Sequence, residues 1–217
     1  MRKLLNNLLG FIWPQFCLGC KKEGGLCCAY CLNDIILEDS SKINWPDKND
    51  FYFDECHVCC HYENRLVQKI LKSYKYSYLE NLAKLLVNIL EKQARRLSLP
   101  EQTIITNIPL HKNKLKKRGF DQTEILAKKL AGQLNLKYTP LLKRIRQTKT
   151  QAQLSKTERR KNVSRAFKTL GAARQMPGGT ILLIDDITTT GSTLNQAARA
   201  LKQAGYQKII CLVLAKN

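Results

Sequence analysis

Residues 181–184 form an unbroken apolar run, "ILLI", and residues 209–215 form a second, "IICLVLA". Short apolar runs bounded by turn residues predict strands buried on both faces. Between them Leu194, Ala197, Ala198 and Leu201 recur at helical spacing, and the pattern stops at Gly205. Together these stretches predict a βαβ unit. Upstream, residues 64–97 carry apolar side chains at helical intervals, interrupted around 72–78, which predicts two helices joined by a basic, aromatic segment. "TIITNIP" predicts a short strand ending at Pro109, and an amphipathic helix is expected to start near Asp121 and Gln122. "FYFDECHVCCHY" reads as a further strand, and residues 141–167 are basic and irregular. The alternation of strands and helices is that of an α/β protein with a mostly parallel, Rossmann-like sheet flanked by helices.

The polar tract "DIILEDSSKINWPDKND" reads as a linker. It divides the chain into residues 1–45, an N-terminal helix with a cysteine module, and residues 46–217, the α/β domain. In the first part, Leu4, Leu5, Leu8, Leu9 and Ile12 share one helical face that docks on the protein or lies on a membrane. Asn6 and Asn7 interrupt that stretch and no small-residue cleavage site follows, so it does not read as a secretory signal. No apolar run is long enough to span a bilayer, so the expected location is the cytoplasm, with cysteines reduced or metal-bound.

Charge changes the picture more than composition does. The 217 residues are 44% hydrophobic and 25% charged, an ordinary globular balance, yet the net charge is +20. Residues 112–168 hold 18 Lys/Arg against three acids, Asp121, Glu124 and Glu158. A long tract of one sign is suited to phosphate or nucleic acid.

Two CxxC pairs, Cys17/Cys20 and Cys28/Cys31, are separated by seven residues. Each pair aims two thiolates at one ion, and two pairs complete a tetrahedral Zn²⁺ site. Gly19, Gly24 and Gly25 suit the tight turns, and Lys21 and Lys22 offset the charge of four thiolates. Cys27 in place of Cys28 is the alternative ligand. Cys56, Cys59 and Cys60, flanked by His57 and His61, lack a second CxxC and read as strand or core residues rather than a second metal site.

The run 181–194, "ILLIDDITTTGSTL", sends a strand into adjacent acids and then into a loop of small hydroxyl residues. In open parallel sheets ligands bind at such strand ends. Small residues before a helix let backbone N–H groups approach a phosphate, and the helix dipole favours its charge. The Lys of a "GK[ST]" loop is missing, which excludes a nucleoside triphosphate cradle of that kind. Carboxylates suit vicinal sugar hydroxyls, and Mg²⁺ would bridge hydroxyls and pyrophosphate. The combination describes a ribose 5-phosphate ligand.

At these residues the chain resembles type I phosphoribosyltransferases, whose PRPP-binding motif has an apolar strand, an acid pair and a Thr/Gly loop. The order of "NIPLHKNKLKKRGFDQTEILAKKLA", "LKRIRQTKTQAQLSKTERRKNVSRAF" and this motif is similar to the ComF/GntX family. The N-terminal "LLGFIWPQFCLGC…LCCAYC" resembles that family's zinc ribbon, and "YENRLVQKILKSYKY" the tract that follows it. The resemblance implies a type I phosphoribosyltransferase fold with a small zinc module. It implies ribose contacts from Asp185 and Asp186, and 5′-phosphate contacts from Thr189, Thr190, Gly191, Ser192 and Thr193. Asn107, Ile108, Pro109, Leu110 and His111 would form a pyrophosphate loop. Residues 144–162 would be a mobile loop, with Arg144, Arg146, Gln151, Arg160 and Asn162 as its contacts. Two departures stand out. Asp121 takes the place of the family's usual Asn, and a second pair of CxxC motifs is missing, so one zinc is expected.

The family resemblance implies natural competence, with single-stranded DNA handled on the cytoplasmic side and peripheral association with a membrane DNA-uptake machinery. Lys112, Lys114, Lys116, Lys117 and Arg118 would track phosphates, and Tyr74, Tyr76 and Tyr78 would stack bases. The competing expectation is an active phosphoribosyltransferase in nucleotide salvage or base modification. No base-reading pocket is recognisable in the sequence.

Overall fold

The computed structural model describes residues 16–36, 51–76, 80–146, 166–171 and 179–217. The expected helix at 4–12 and the boundary at 45/46 lie outside these residues. The chain runs through α1 (Ala29–Ile35), β1 (Glu55–His61), α2 (Arg65–Tyr76), α3 (Glu80–Ala94), β2 (Ile104–Asn107) and α4 (Lys112–Arg118). It continues through α5 (Gln122–Leu134), β3 (Lys137–Tyr138), β4 (Leu142–Arg144), β5 (Phe167–Thr169), β6 (Thr180–Thr188), α6 (Ser192–Gln203) and β7 (Lys208–Lys216).

Five strands form a parallel sheet in the order β1-β7-β6-β2-β3, while β4 and β5 make a separate antiparallel pair. Alternation along β6 sends Leu182 and Ile184 to one face, with α2, α3 and α5, and Ile181 and Leu183 to the other, with α6 and the β4–β5 pair. Both faces are covered, which is why β6 and β7 read as continuous apolar runs rather than alternating ones.

The Cys56, Cys59 and Cys60 strand is β1, at the sheet edge, with Cys59 and Cys60 in the core. The interruption expected around 72–78 is displaced. Helix α2 runs on to Tyr76, because Val67, Ile70, Leu71 and Tyr74 continue one buried face. Burying each such side chain is worth roughly 1.5–3 kcal/mol, which outweighs the few tenths lost to the weak helix formers Ser73 and Tyr74. Tyr74 is therefore core, not a stacking platform: it is fully buried and its hydroxyl donates to the Gln122 carbonyl at 3.1 Å. The Tyr76 side chain and Tyr78 lie outside the described residues.

The cysteine module is not freestanding. Ile35 belongs to the same apolar cluster as the helix face of the sheet, with Leu18, Leu26, Cys27 and Leu32 packed against it.

Candidate functional site

The site follows from strand order. From β2 the chain moves to β3 on one side, whereas β6 flanks β2 on the other. The loop after β2 leads to α5 on one face, and the loop after β6 leads to α6 on the opposite face. The two loops therefore part at the carboxyl ends of neighbouring strands and leave a crevice, the usual ligand position in open α/β sheets.

The acid pair lies at this crevice but deeper than the sequence suggested. Strand β6 continues past it to Thr188, because β7 offers partners as far as Lys216. Asp185 and Asp186 are consequently buried, at 7% and 6% exposure, rather than sitting at an open strand end. Alternation turns them to opposite faces. Asp186 meets Lys75 Nζ from α2 at 3.0 Å and the Gln122 amide at 2.9 Å, and its other oxygen accepts the Ile187 N–H at 2.7 Å. Gln122 is itself held by the Arg118 guanidinium. Asp185 accepts the Asp186 N–H at 2.8 Å and feels Arg144 of β4. Burial, and after it the Asp186 carboxylate, hold the Asp185 carboxyl well above the usual carboxylate range, against the pull of Lys75 and Arg144.

A cationic ring closes around the pair. The Lys114 ammonium is held below its ordinary value by partial burial and by the charges of Arg144, Arg118 and Lys75. Four cations converge on two carboxylates, an excess that favours a polyanionic ligand. The basic tract 112–118 is thus helical: half-buried Arg118 reaches Gln122, Lys114 feels the Asp186 carboxylate, and Lys112, Lys114, Lys116 and Lys117 are all exposed. Arg146 is exposed, and Gln151, Arg160 and Asn162 lie outside the described residues.

Beyond β6, Thr189 and Thr190 are exposed and Gly191 turns the chain at φ 73°, a left-handed conformation that L side chains resist. Ser192 and Thr193 open α6, a 12-residue helix whose N-terminus has no side-chain cap. The N–H of Ser192 reaches Thr190 Oγ1 only at 3.4 Å. Such an end is a ready anion site.

On the β2 side, Asn107 is buried between Thr123 Oγ1, to which it donates at 3.2 Å, and the Tyr138 hydroxyl, from which it accepts at 2.9 Å. The Ile108 N–H bonds the Ile184 carbonyl, and the Leu110 N–H bonds Asp121 Oδ2 at 2.8 Å. Pro109 has no N–H, and His111 caps α4 by accepting from the Asn113 N–H at 3.4 Å. Lys75, Gln122, Thr123 and Tyr138 were not identified from sequence. Only the apolar spacing that continues through Tyr74 signals that Lys75 is helical.

In the cysteine module the four ligand atoms of Cys17, Cys20, Cys28 and Cys31 lie within 4.8 Å of one another, and Cys20 and Cys28 Sγ are 3.6 Å apart. Tetrahedral Zn–S bonds of about 2.3 Å place sulfurs about 3.8 Å apart, so the set fits zinc. The Cys28 N–H brings the Cys17 thiol down to about 6, whereas burial and then its neighbours push Cys31 up to about 12. Four thiolates at this spacing need a dication. Cys27 turns instead toward the core, where burial pushes its thiol to about 11, and it is not among the four. The left-handed residue of the first knuckle is Lys21, at φ 64°. Gly19 serves close approach: a Cβ there would stand 2.9 Å from Cys31 Sγ and 3.0 Å from Leu66 of α2.

Residues 121–217 match the Phosphoribosyl transferase domain family. With its parallel sheet flanked by helices, the chain carries a phosphoribosyl transferase domain of the type I fold. It is 33% identical over 126 residues to Competence protein F of Haemophilus influenzae, covering 58% of this chain and 54% of that one. It is 32% identical over 127 residues to DNA utilization protein YhgH of Salmonella typhi, covering 57% and 54%. Over 102 residues it is 37% identical to Competence protein ComFC of Bacillus subtilis, covering 47% and 39%. These relatives, together with the phosphoribosyl transferase domain, support a kinship with the ComF family. It spans about half the length of the curated relatives it matches. Among the described residues no helix is long and apolar enough to cross a membrane.

The raised Asp185 carboxyl has a consequence for stability. In the folded state it keeps its proton above the ordinary value of about 3.9, so burial of this group costs stability as pH climbs from there toward its folded value. Asp185→Asn, which mimics the protonated form, is expected to raise the melting temperature at pH 7. The gain should shrink toward zero below about pH 4, where both states are protonated. Melting curves from pH 3 to 8 check this, and a gain that grows toward low pH would contradict it.

Proposed function

We propose that this chain binds PRPP with Mg²⁺ and works in a competence or DNA-utilization process by handling single-stranded DNA on the cytoplasmic side. The observation that carries the reading is the buried acid pair beside an uncapped helix N-terminus, ringed by Lys75, Lys114, Arg118 and Arg144. Asp185 and Asp186 accept hydrogen bonds from the ribose hydroxyls. The N–H groups and hydroxyls of 189–193 hold the 5′-phosphate. The ring of cations offsets the pyrophosphate, and bound Mg²⁺ supplies further charge neutralisation there. Positioning and charge stabilisation of this kind are what cleavage at C1 through an oxocarbenium-like state requires.

Asp185→Asn with Asp186→Asn should reduce PRPP affinity at least about a hundredfold, since two acceptors become mixed donor–acceptor groups in a buried site. Calorimetric titration with PRPP and Mg²⁺ measures this. Affinity unchanged in a folded double variant would remove the ribose assignment.

Support for the DNA reading comes from the names of the relatives and from exposed charge. With Tyr74 in the core, the support shifts to cations. Arg65, Lys69 and Lys72 lie one turn apart on α2, a helix with no acidic residue, and all three are exposed. Lys112, Lys116 and Lys117 on α4 are exposed as well. Single-stranded DNA should bind with little sequence preference and a log–log salt slope of about −0.7 per phosphate neutralised. Lys69→Gln with Lys72→Gln should flatten the slope by about 1.4 while weakening all sequences alike. Fluorescence anisotropy at several salt concentrations reads both. If no DNA binds near physiological salt, phosphoribosyl transfer to a small acceptor becomes the better account.

The zinc assignment is tested by metal analysis. The purified protein should carry one Zn²⁺, and Cys17→Ser with Cys31→Ser should abolish it along with the packing of Leu18, Leu26 and Ile35 on the core. Stoichiometric zinc retained in the double variant would refute this ligand set.

A further inference from the structure

The turn after β2 enters the crevice with its hydrogen-bond donors directed away from it. The Ile108 N–H bonds the Ile184 carbonyl, Pro109 has no N–H, and the Leu110 N–H lies 2.8 Å from Asp121 Oδ2. Phosphate groups are held best by backbone N–H groups. As it stands, the Leu110 donor is committed to a carboxylate before any ligand arrives.

Asp121 has two tasks, one for each oxygen. Its Oδ1 caps α5, accepting the Thr123 N–H at 3.1 Å and the Glu124 N–H at 3.2 Å, with Thr123 Oγ1 at 2.7 Å. Its Oδ2 is left to hold Leu110. The residue is 8% exposed, so little water competes for either oxygen. The same Thr123 Oγ1 lies 2.7 Å from the Ile108 carbonyl and receives the Asn107 amide, so the turn is tied to the start of α5 at three points. Helix capping needs only one acceptor oxygen, and Asn or Ser serves as well as Asp. The second oxygen is surplus to the cap, and among the described residues its one partner is Leu110.

We propose that Asp121 is a positioning residue that latches the 107–111 turn in the ligand-free protein, and that the pyrophosphate group of the ligand competes with it for the Leu110 N–H. This rests on the PRPP reading of the crevice and adds a determinant of how strongly the pyrophosphate end, as distinct from the sugar phosphate end, is gripped. An amide in place of the carboxylate would keep its oxygen on the cap, where two N–H groups and a hydroxyl meet it. Its NH₂ group would then face the Leu110 N–H, donor against donor. The latch opens and one negative charge leaves the neighbourhood of the pyrophosphate.

The test uses the full chain with Asp121→Asn and Asp121→Ser, both of which preserve the cap. Amide exchange followed by NMR should show the Leu110 N–H exchanging at least about tenfold faster in each variant, with the amides of Thr123 and Glu124 unchanged. Titration with Mg²⁺ and PRPP, and with Mg²⁺ and pyrophosphate, should tighten about tenfold, whereas ribose 5-phosphate should bind as before. Unaltered Leu110 exchange would overturn the latch. Equal changes for all three ligands would reduce Asp121 to a structural cap and overturn the role in selectivity. If the unmodified protein binds none of the three, the PRPP reading and the competition both fall. If it binds them with the same selectivity as both variants, only the role of Asp121 falls.

Discussion

Two adjacent carboxylates inside a central strand create a charge problem that the strand cannot solve alone. Each ion buried without a partner costs several kcal/mol, and the alternation of β6 sends the two to opposite faces, where a single direct ion pair does not serve both. The remainder of the site is arranged around this constraint. Asp186 is served by α2 and α5 through Lys75 and Gln122, and Asp185 has Arg144 on the β4–β5 side. Elements distant in sequence are therefore held to the same few ångströms by electrostatics as well as by packing. The acid pair organises the crevice before any ligand occupies it.

What was legible in the sequence divides along physical lines. The strands β6 and β7 and the helix α6 could be read because burial on both faces leaves continuous apolar runs, and a one-faced helix leaves a 3.6-residue period. The start of α5 could be read because Asp121 is a local cap. The continuation of α2 through Tyr74 could not, since it depends on tertiary burial that no local preference reveals. The four cysteines were identified by spacing, and their 4.8 Å clustering agrees with it. The choice of Cys28 over Cys27 is decided by which side chain faces the core.

The partners of the acids were the least legible part. Lys75 lies 111 residues before Asp186, and nothing in the "KSYKYSY" tract distinguishes it from the lysines around it. Only the helical phase, known once α2 is seen to be unbroken, separates exposed Lys69 and Lys72 from Lys75 at the acid. The same holds for 112–118, where a stretch read only as part of a basic tract is a helix that brings Arg118 to Gln122 and leaves its lysines in water. Helix α2 also meets the cysteine module at its other end, where Leu66 packs against Gly19. One rigid element therefore touches both chemically specialised regions of the chain.

The strand order carries a further implication for how the molecule is made. Among the described residues strand β1 pairs only with β7 in the sheet, and the bond from the Ile209 N–H to Asp54 closes a span of 155 residues. During synthesis β1 has helices to pack against but no strand partner until β7 leaves the ribosome, and Val58 on its other face waits for it. Pairings of such long range are slow to form and leave apolar surface uncovered meanwhile. The cysteine module, by contrast, has all four thiols within 15 residues and can assemble early on a metal ion. The cysteine module can thus be ordered on its metal well before β7 arrives between β1 and β6 to complete the sheet.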